Sequence, residues 1–149
     1  ESTANEARFT APQPKRAWTN MLDCAKSETV YCPQSDGDVN IESEDCLSLS
    51  IWIPPSKPRD STPTQRQLLP VLVWIFGGGF EQGSSDDWSL HNLTSNGATL
   101  GQPTIVISLN YRVGALGFLA LPELGVGNGN FGLLDQRLAL QWVQDNVGV

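Results

Sequence analysis

The order of apolar runs in this chain predicts an α/β fold built on a mostly parallel sheet. Two short segments carry most of that prediction. LPVLVWIF at 69–76 and TIVISLN at 104–110 are rich in β-branched residues and apolar on both faces, as strands covered on both sides of a parallel sheet are. The third observation is a helical run over 133–147, with Leu134, Leu138 and Trp142 at four-residue spacing among Asp135, Arg137, Gln141 and Gln144. Strand, long connection, strand, loop and helix, in that order, are the vocabulary of an α/β sheet.

Each element rests on local chemistry. Residues 1–20 are polar and contain Pro, and read as extended chain or turn. Residues 21–45 show no periodicity and hold Cys24 and Cys32, so they read as a loop stapled to the segment after it. CLSLSIWI at 46–53 alternates polar and apolar, which predicts a strand, closed by Pro54 and Pro55. A polar surface loop covers 54–68. Beyond the strand at 69–76 come three glycines, and then a polar, irregular stretch over 81–103 with one helical turn near 88–93. The strand at 104–110 leads into a Gly-rich loop over 111–131, where Gly125, Gly127 and Gly129 stand two apart. Trp74, Phe76 and Trp142 are predicted core residues. A sheet of this kind needs more strands than these residues supply, so the sequence reads as a fragment, or as one chain of a cleaved enzyme.

Bulk composition narrows the function. The 149 residues are 40% hydrophobic and 17% charged, which suits one globular domain. Net charge is −7 and no cluster of Lys and Arg occurs, which excludes nucleic acid and anionic membrane as natural partners. No run of 18 apolar residues is present, so no transmembrane segment is predicted. The first residues, ESTANEA, are polar and unlike a signal peptide, so the chain is expected to start after any such peptide or inside a longer precursor. Cys24, Cys32 and Cys46 form no CxxC pair, and His91 is the sole histidine, so no metal site is predicted. One disulfide and one remaining thiol is the simplest arithmetic. Asn92-Leu93-Thr94 is a glycosylation sequon, and with the cysteines it points to a secreted protein.

The stretch with the most chemical content is Gly77, Gly78 and Gly79 at the end of the 69–76 strand. Glycines there let the backbone turn and let a ligand approach the N–H groups closely. In a parallel α/β sheet, ligands bind at the carboxyl ends of the strands. N–H groups displayed at that end are suited to stabilising a developing oxyanion. The competing readings are a plain tight turn, a phosphate loop and a dinucleotide loop. Gly78 and Gly83 have the phosphate-loop spacing, but Ser84 stands where the lysine must be. Gly77, Gly79 and Gly83 miss the dinucleotide spacing by one residue.

Further stretches, in order along the chain, are Arg8-Phe9 with Ala11-Pro12, Trp18, CPQ at 32–34, SEDCL at 43–47, the glycine turn with Phe80 and Gly83, NYRVG at 110–114, GFL at 117–119, Gly129-Asn130, GLLDQR at 132–137 and ALQWV at 139–143. This ordered set resembles the type-B carboxylesterases, the family of cholinesterases, carboxylesterases and fungal lipases. WIFGGGFE at 74–81 is most similar in style to the fungal members.

The resemblance implies the N-terminal portion of an α/β-hydrolase fold, with 1–149 forming part of a single catalytic domain. It implies a serine ester hydrolase, esterase or lipase, working through an acyl-enzyme without a cofactor. Gly78 and Gly79 would supply two oxyanion-hole N–H groups, the third coming from the residue after the nucleophile. The nucleophile elbow and its acid and base partners would lie C-terminal to this chain, so these residues alone are expected to be inactive. His91 does not match the catalytic position. The resemblance pairs Cys32 with Cys46, with Cys24 as a competitor for Cys46. Closing such a loop is worth roughly 3 kcal/mol in the chain-entropy model. In family lipases the corresponding loop is a longer flap, and the thirteen residues between these cysteines disfavour a broad hydrophobic lid. It also implies structural ion pairs between Arg8 and Glu44 and between Arg112 and Asp135. Phe80, Trp88 and Tyr111 are candidate walls of a pocket for a small-molecule or lipid ester. The alternative from another class is a non-catalytic, cholinesterase-like adhesion or binding module.

Overall fold

The computed structural model describes residues 2–17, 19, 30–35, 37, 41–55, 68–124 and 129–147. Trp18, Cys24, Gly125, Gly127 and most of the 54–68 loop lie outside the described residues. Three strands, β1 (Leu49–Trp52), β2 (Val71–Ile75) and β3 (Ile105–Leu109), form one sheet in the order β1-β3-β2. β2 and β3 run parallel, with Val71 opposite Ile105 and Ile75 opposite Leu109. β1 runs antiparallel to β3, with Leu49 opposite Leu109 and Trp52 opposite Val106. An antiparallel strand beside a parallel pair is common in α/β sheets.

The central strand is buried as its apolar run predicts: Val106, Ile107, Ser108 and Leu109 are each at most 1% exposed. β2 departs from prediction. It is an edge of the described sheet, and Leu72, Trp74 and Ile75 are each 39% exposed. Trp74 is therefore not a core residue in this structure, whereas Phe76, just past the strand, is. Phe76, Leu109, Tyr111 and Val113 form the buried apolar cluster, with Leu49, Val73, Phe118 and Ala139 packed against it. The rings of Phe76 and Tyr111 stack with centroids 4.3 Å apart.

Among the described residues three α-helices accompany the strands: α1 (His91–Thr99), α2 (Gly114–Phe118) and α3 (Phe131–Asn146). α1 is nine residues long where the sequence predicts one turn. Its sequence, HNLTSNGAT, has almost no apolar stripe, and only Thr94 is buried. α2 forms inside the stretch read as Gly-rich loop. α3 starts two residues earlier than predicted, and its buried face is turned: Phe131, Gly132, Asp135 and Val143 are buried. Leu134, Leu138 and Trp142 are only half-buried. Asp135 sits on the inner face because the Arg112 guanidinium meets it there, at 2.7 Å from Nη2 to Oδ1 and 2.8 Å from Nε to Oδ2. Gly132 lets α3 approach that segment closely, since a Cβ there would lie 2.4 Å from the Arg112 carbonyl oxygen.

Two further ties hold the N-terminal segment to this frame. Arg112 Nη2 donates to the Thr10 carbonyl at 2.9 Å, and Arg8 forms an ion pair with Glu44. Cys32 and Cys46 are joined by a disulfide with Cα atoms 5.1 Å apart, and Tyr31, just ahead of the loop it closes, bridges to Glu42 within it.

Candidate active site

β2 delivers the chain to the end of the sheet, and the glycines turn it there. Gly78 (φ 150°), Gly79 (φ 65°) and Phe80 (φ 65°) all have positive φ. The left-handed region costs a non-glycine residue of order 1–3 kcal/mol, so strain at Phe80 requires support. A Cβ on Gly78 would lie 1.9 Å from the Gln82 carbonyl oxygen, which reserves the position for glycine. The turn is closed by the Glu81 and Gln82 N–H groups, which donate to the Gly78 carbonyl at 3.1 and 3.3 Å. Gly77, Gly78 and Gly79 are exposed, and among the described residues no acceptor takes the N–H of Gly78 or Gly79. Two unspent, solvent-facing donors at the carboxyl end of a strand form an anion-accepting arrangement.

Three contacts that sequence reasoning missed shape this turn. The Tyr111 hydroxyl donates to the Phe76 carbonyl at 2.9 Å, immediately before the glycines. The Gly114 N–H donates to the Phe80 carbonyl at 2.7 Å, immediately after them. Gln34, next but one to the disulfide cysteine Cys32, accepts the Gly83 N–H on Oε1 at 2.8 Å. No local pattern signals these pairings, because each joins segments at least 34 positions apart.

Beyond the turn, residues 84–87 are held by polar groups. Asn110 accepts the Ser85 N–H at 2.8 Å, while its Nδ2 donates to the carbonyls of Val30 at 2.8 Å and Cys46 at 3.1 Å. Asp87 accepts the Ser84 N–H and the Tyr31 hydroxyl at 2.8 and 2.9 Å. The hydrogen bond to Asp87 raises the Tyr31 phenol above its ordinary pKa, and burial does the same to Tyr111.

The predicted pocket walls separate. Phe80 is 51% exposed and tilts against Phe118 with ring centroids 4.9 Å apart. Trp88 is 64% exposed. Tyr111 is only 1% exposed and bonded to backbone, so it is a core residue and not a wall of an open pocket. A cleft of about 540 Å³ opens between the disulfide-closed loop and α2, lined by Gln34, Ser35, Glu81, Gly114 and Leu116 among others. That volume is in the range of ligand sites. The crevice among Thr3, Arg8, Glu44 and Arg112 is by contrast a packing seam too narrow to admit a water molecule.

Of the remaining sequence candidates, Arg112 and Asp135 form a fully buried pair, with side chains 3% and 0% exposed. His91 is exposed at the start of α1, within 3.5 Å of Ser95 Oγ. Asn92 is exposed in the same helical turn, and Thr94 of its sequon is 3% exposed. Among the described residues no group of three or more His, Cys, Asp and Glu side chains could hold a metal ion, and no helix is long and apolar enough to cross a membrane.

The chain resembles known proteins along its whole length. A family model described as the carboxylesterase family matches residues 1–149. An acetylcholinesterase from Bungarus fasciatus is 41% identical over 159 aligned positions, and one from Danio rerio 42% over 160, each match covering 99% of this chain. The chain spans about a quarter of the length of these curated relatives, 24% in each case. Among solved structures, a PNB esterase superposes with a TM-score of 0.75 at 38% identity, over 99% of this chain and 29% of that one. With a glycine turn at the end of a parallel strand and a match along its whole length, this chain belongs to the carboxylesterase family.

Proposed function

We propose that this chain carries the oxyanion hole of a serine carboxylic-ester hydrolase that works through an acyl-enzyme. The observation behind this reading is the pair of exposed Gly78 and Gly79 N–H groups, unclaimed among the described residues at the carboxyl end of β2. When a serine oxygen adds to an ester carbonyl, negative charge moves onto the carbonyl oxygen, and fixed N–H donors aimed at it lower the barrier. Loss of one such donor typically costs about 10²–10³ in kcat. Collapse of the tetrahedral species expels the alcohol, which takes up the proton the base removed from the serine. Water then repeats the sequence to release the acid.

On this reading the serine, its base and its acid are supplied by residues C-terminal to these 149 within one α/β-hydrolase domain. The relatives, about four times as long, leave ample room for them. These residues alone would then turn over no ester. The substrate is a small-molecule or lipid ester, admitted beside Phe80 and Trp88. The Cys32–Cys46 disulfide and the exposed Asn92 sequon support a secreted glycoprotein. Open glycine donors favour the enzyme over a non-catalytic adhesion module, which has no use for them.

The test is fluorophosphonate labelling of the folded full-length protein, with p-nitrophenyl ester turnover measured alongside. One adduct per molecule on a serine within a Gly-x-Ser-x-Gly sequence, with matching loss of turnover, is the expected result. Folded protein that takes up no label and hydrolyses no ester refutes the proposal.

A further inference from the structure

We propose that the segment 111–114 sets the position of the Gly78 and Gly79 amides, with the Tyr111 hydroxyl acting as a positioning residue for the oxyanion hole. The inference rests on the esterase reading above and adds to it the part of the fold that controls the hole. The two carbonyls that bracket the glycines are both held from this one segment. Tyr111 donates its hydroxyl to the Phe76 carbonyl at 2.9 Å, and Gly114 donates its N–H to the Phe80 carbonyl at 2.7 Å. Between these two anchor points lie three glycines, which have no side chains of their own to fix the backbone. Their conformation is therefore set from outside.

The bracketing segment is itself rigid. Arg112, midway along it, donates its backbone N–H to Asp135 Oδ2 at 3.0 Å, while its guanidinium grips the same carboxylate. Tyr111 is stacked on Phe76 and 1% exposed, so its hydroxyl has no access to bulk water as an alternative partner. Burial raises its pKa, which keeps it protonated and donating. At the far anchor, Phe80 holds a left-handed φ of 65°, a conformation a bulky residue keeps only when its surroundings impose it. The chain of support runs from α3 through Asp135 and Arg112 to Tyr111 and Gly114, and ends on the glycine turn.

Tyr111→Phe in the full-length enzyme removes one oxygen and keeps the ring stack. Because small displacements of a catalytic group are expensive, kcat per fluorophosphonate-titrated site should fall about tenfold, with KM within about twofold of wild type. Affinity for a trifluoromethyl ketone, which places an oxyanion in the hole, should fall by the same factor as kcat/KM. Val106→Ala, a cavity variant at the opposite end of β3, is the control for general destabilisation: it should lower the unfolding midpoint and leave all three constants unchanged. The inference is overturned if Tyr111→Phe keeps kcat and ketone affinity within twofold, or if Val106→Ala loses as much of both. Should the wild-type protein neither turn over esters nor take up fluorophosphonate, the esterase reading fails first. The positioning claim then stands or falls on amide chemical shifts: those of Gly78 and Gly79 must move in Tyr111→Phe and stay put in Val106→Ala.

Discussion

Asp135→Asn isolates the charge in the ion pair that organises the inner face of α3. The wild-type carboxylate accepts three N–H groups of Arg112: Nε at 2.8 Å, Nη2 at 2.7 Å and the backbone N–H at 3.0 Å. Adding three charge-assisted hydrogen bonds at about 1.5–3 kcal/mol each would overstate the effect, because the asparagine oxygen still accepts one or two of them. The governing quantity is the guanidinium left without a counter-charge where its side chain is only 3% exposed. Breaking a buried pair from one side costs about 3–5 kcal/mol. Arg112 is poorly placed to absorb the change, because its Nη1 is buried without a hydrogen-bond partner among the described residues. Urea unfolding of the full-length protein, followed by tryptophan fluorescence, should register that loss. Asp135→Leu combined with Arg112→Met should recover most of it, since apolar replacements of buried pairs are often neutral. Recovery should fall short by about 1–3 kcal/mol, because the Arg112 backbone N–H stays unpaired. A loss below about 1 kcal/mol in Asp135→Asn, or a double variant no better than the worse single one, would refute this account.

Other consequences concern the turn, the disulfide and the two tyrosines. Gly78→Ala places a Cβ 1.9 Å from the Gln82 carbonyl and should cut ester turnover by about 10²-fold, as for loss of an oxyanion donor. Gly77→Ala meets nothing within 4 Å, so the unfolding free energy should change by no more than about 0.5 kcal/mol in a urea titration. Replacing both Cys32 and Cys46 by Ala should lower stability by roughly 3 kcal/mol, read as a lower urea midpoint. Tyr31 and Tyr111 both have folded pKa values above the ordinary 10.0, so their contribution to stability is intact below pH 10 and is lost as pH rises through the raised values. Isotope-labelled tyrosine resonances tracked through an alkaline titration should show both ionising later than free tyrosine.

What could be read from the sequence divides along lines of range and charge. β3 was legible because five apolar or small residues in a row satisfy the covered-strand pattern without help from elsewhere. The glycine turn was legible because three consecutive glycines end the apolar run of 69–76 and favour a break in the strand there. The ion pairs and the Cys32–Cys46 link came from ordered resemblance, not from periodicity. α1 was not legible, since HNLTSNGAT offers no stripe, and its helix is selected by its place between the turn and β3. The orientation of α3 misled for a sharper reason. Apolar spacing points Leu134, Leu138 and Trp142 inward, but a carboxylate can take an inner position once a guanidinium 23 residues earlier in the chain meets it. Trp74 misled because an apolar strand predicts burial, whereas exposure depends on which strand lies beside it. Tyr111 reads from the sequence as a pocket wall, whereas in the structure it is buried and its hydroxyl bonds to the Phe76 carbonyl.

The oxyanion assignment is strongest when the polar groups of residues 76–85 are traced one by one, because buried or half-buried backbone groups must find partners. The carbonyls of Phe76, Gly78 and Phe80 are taken by Tyr111, by Glu81 with Gln82, and by Gly114. The N–H groups of Gly83, Ser84 and Ser85 are taken by Gln34, Asp87 and Asn110. Every partner that is not local comes from a distant segment, so the loop is fixed at considerable entropic cost. A turn whose task was only to reverse the chain would not need that many remote ties, nor a phenylalanine in the left-handed region. Among the described residues, the N–H groups of Gly78 and Gly79 have no acceptor and the carbonyls of Gly77 and Gly79 no donor, all on the exposed side of the turn. Exposed donors on a turn fixed by remote ties are chemically suited to meet negative charge from outside, which is what the proposed oxyanion hole requires of them.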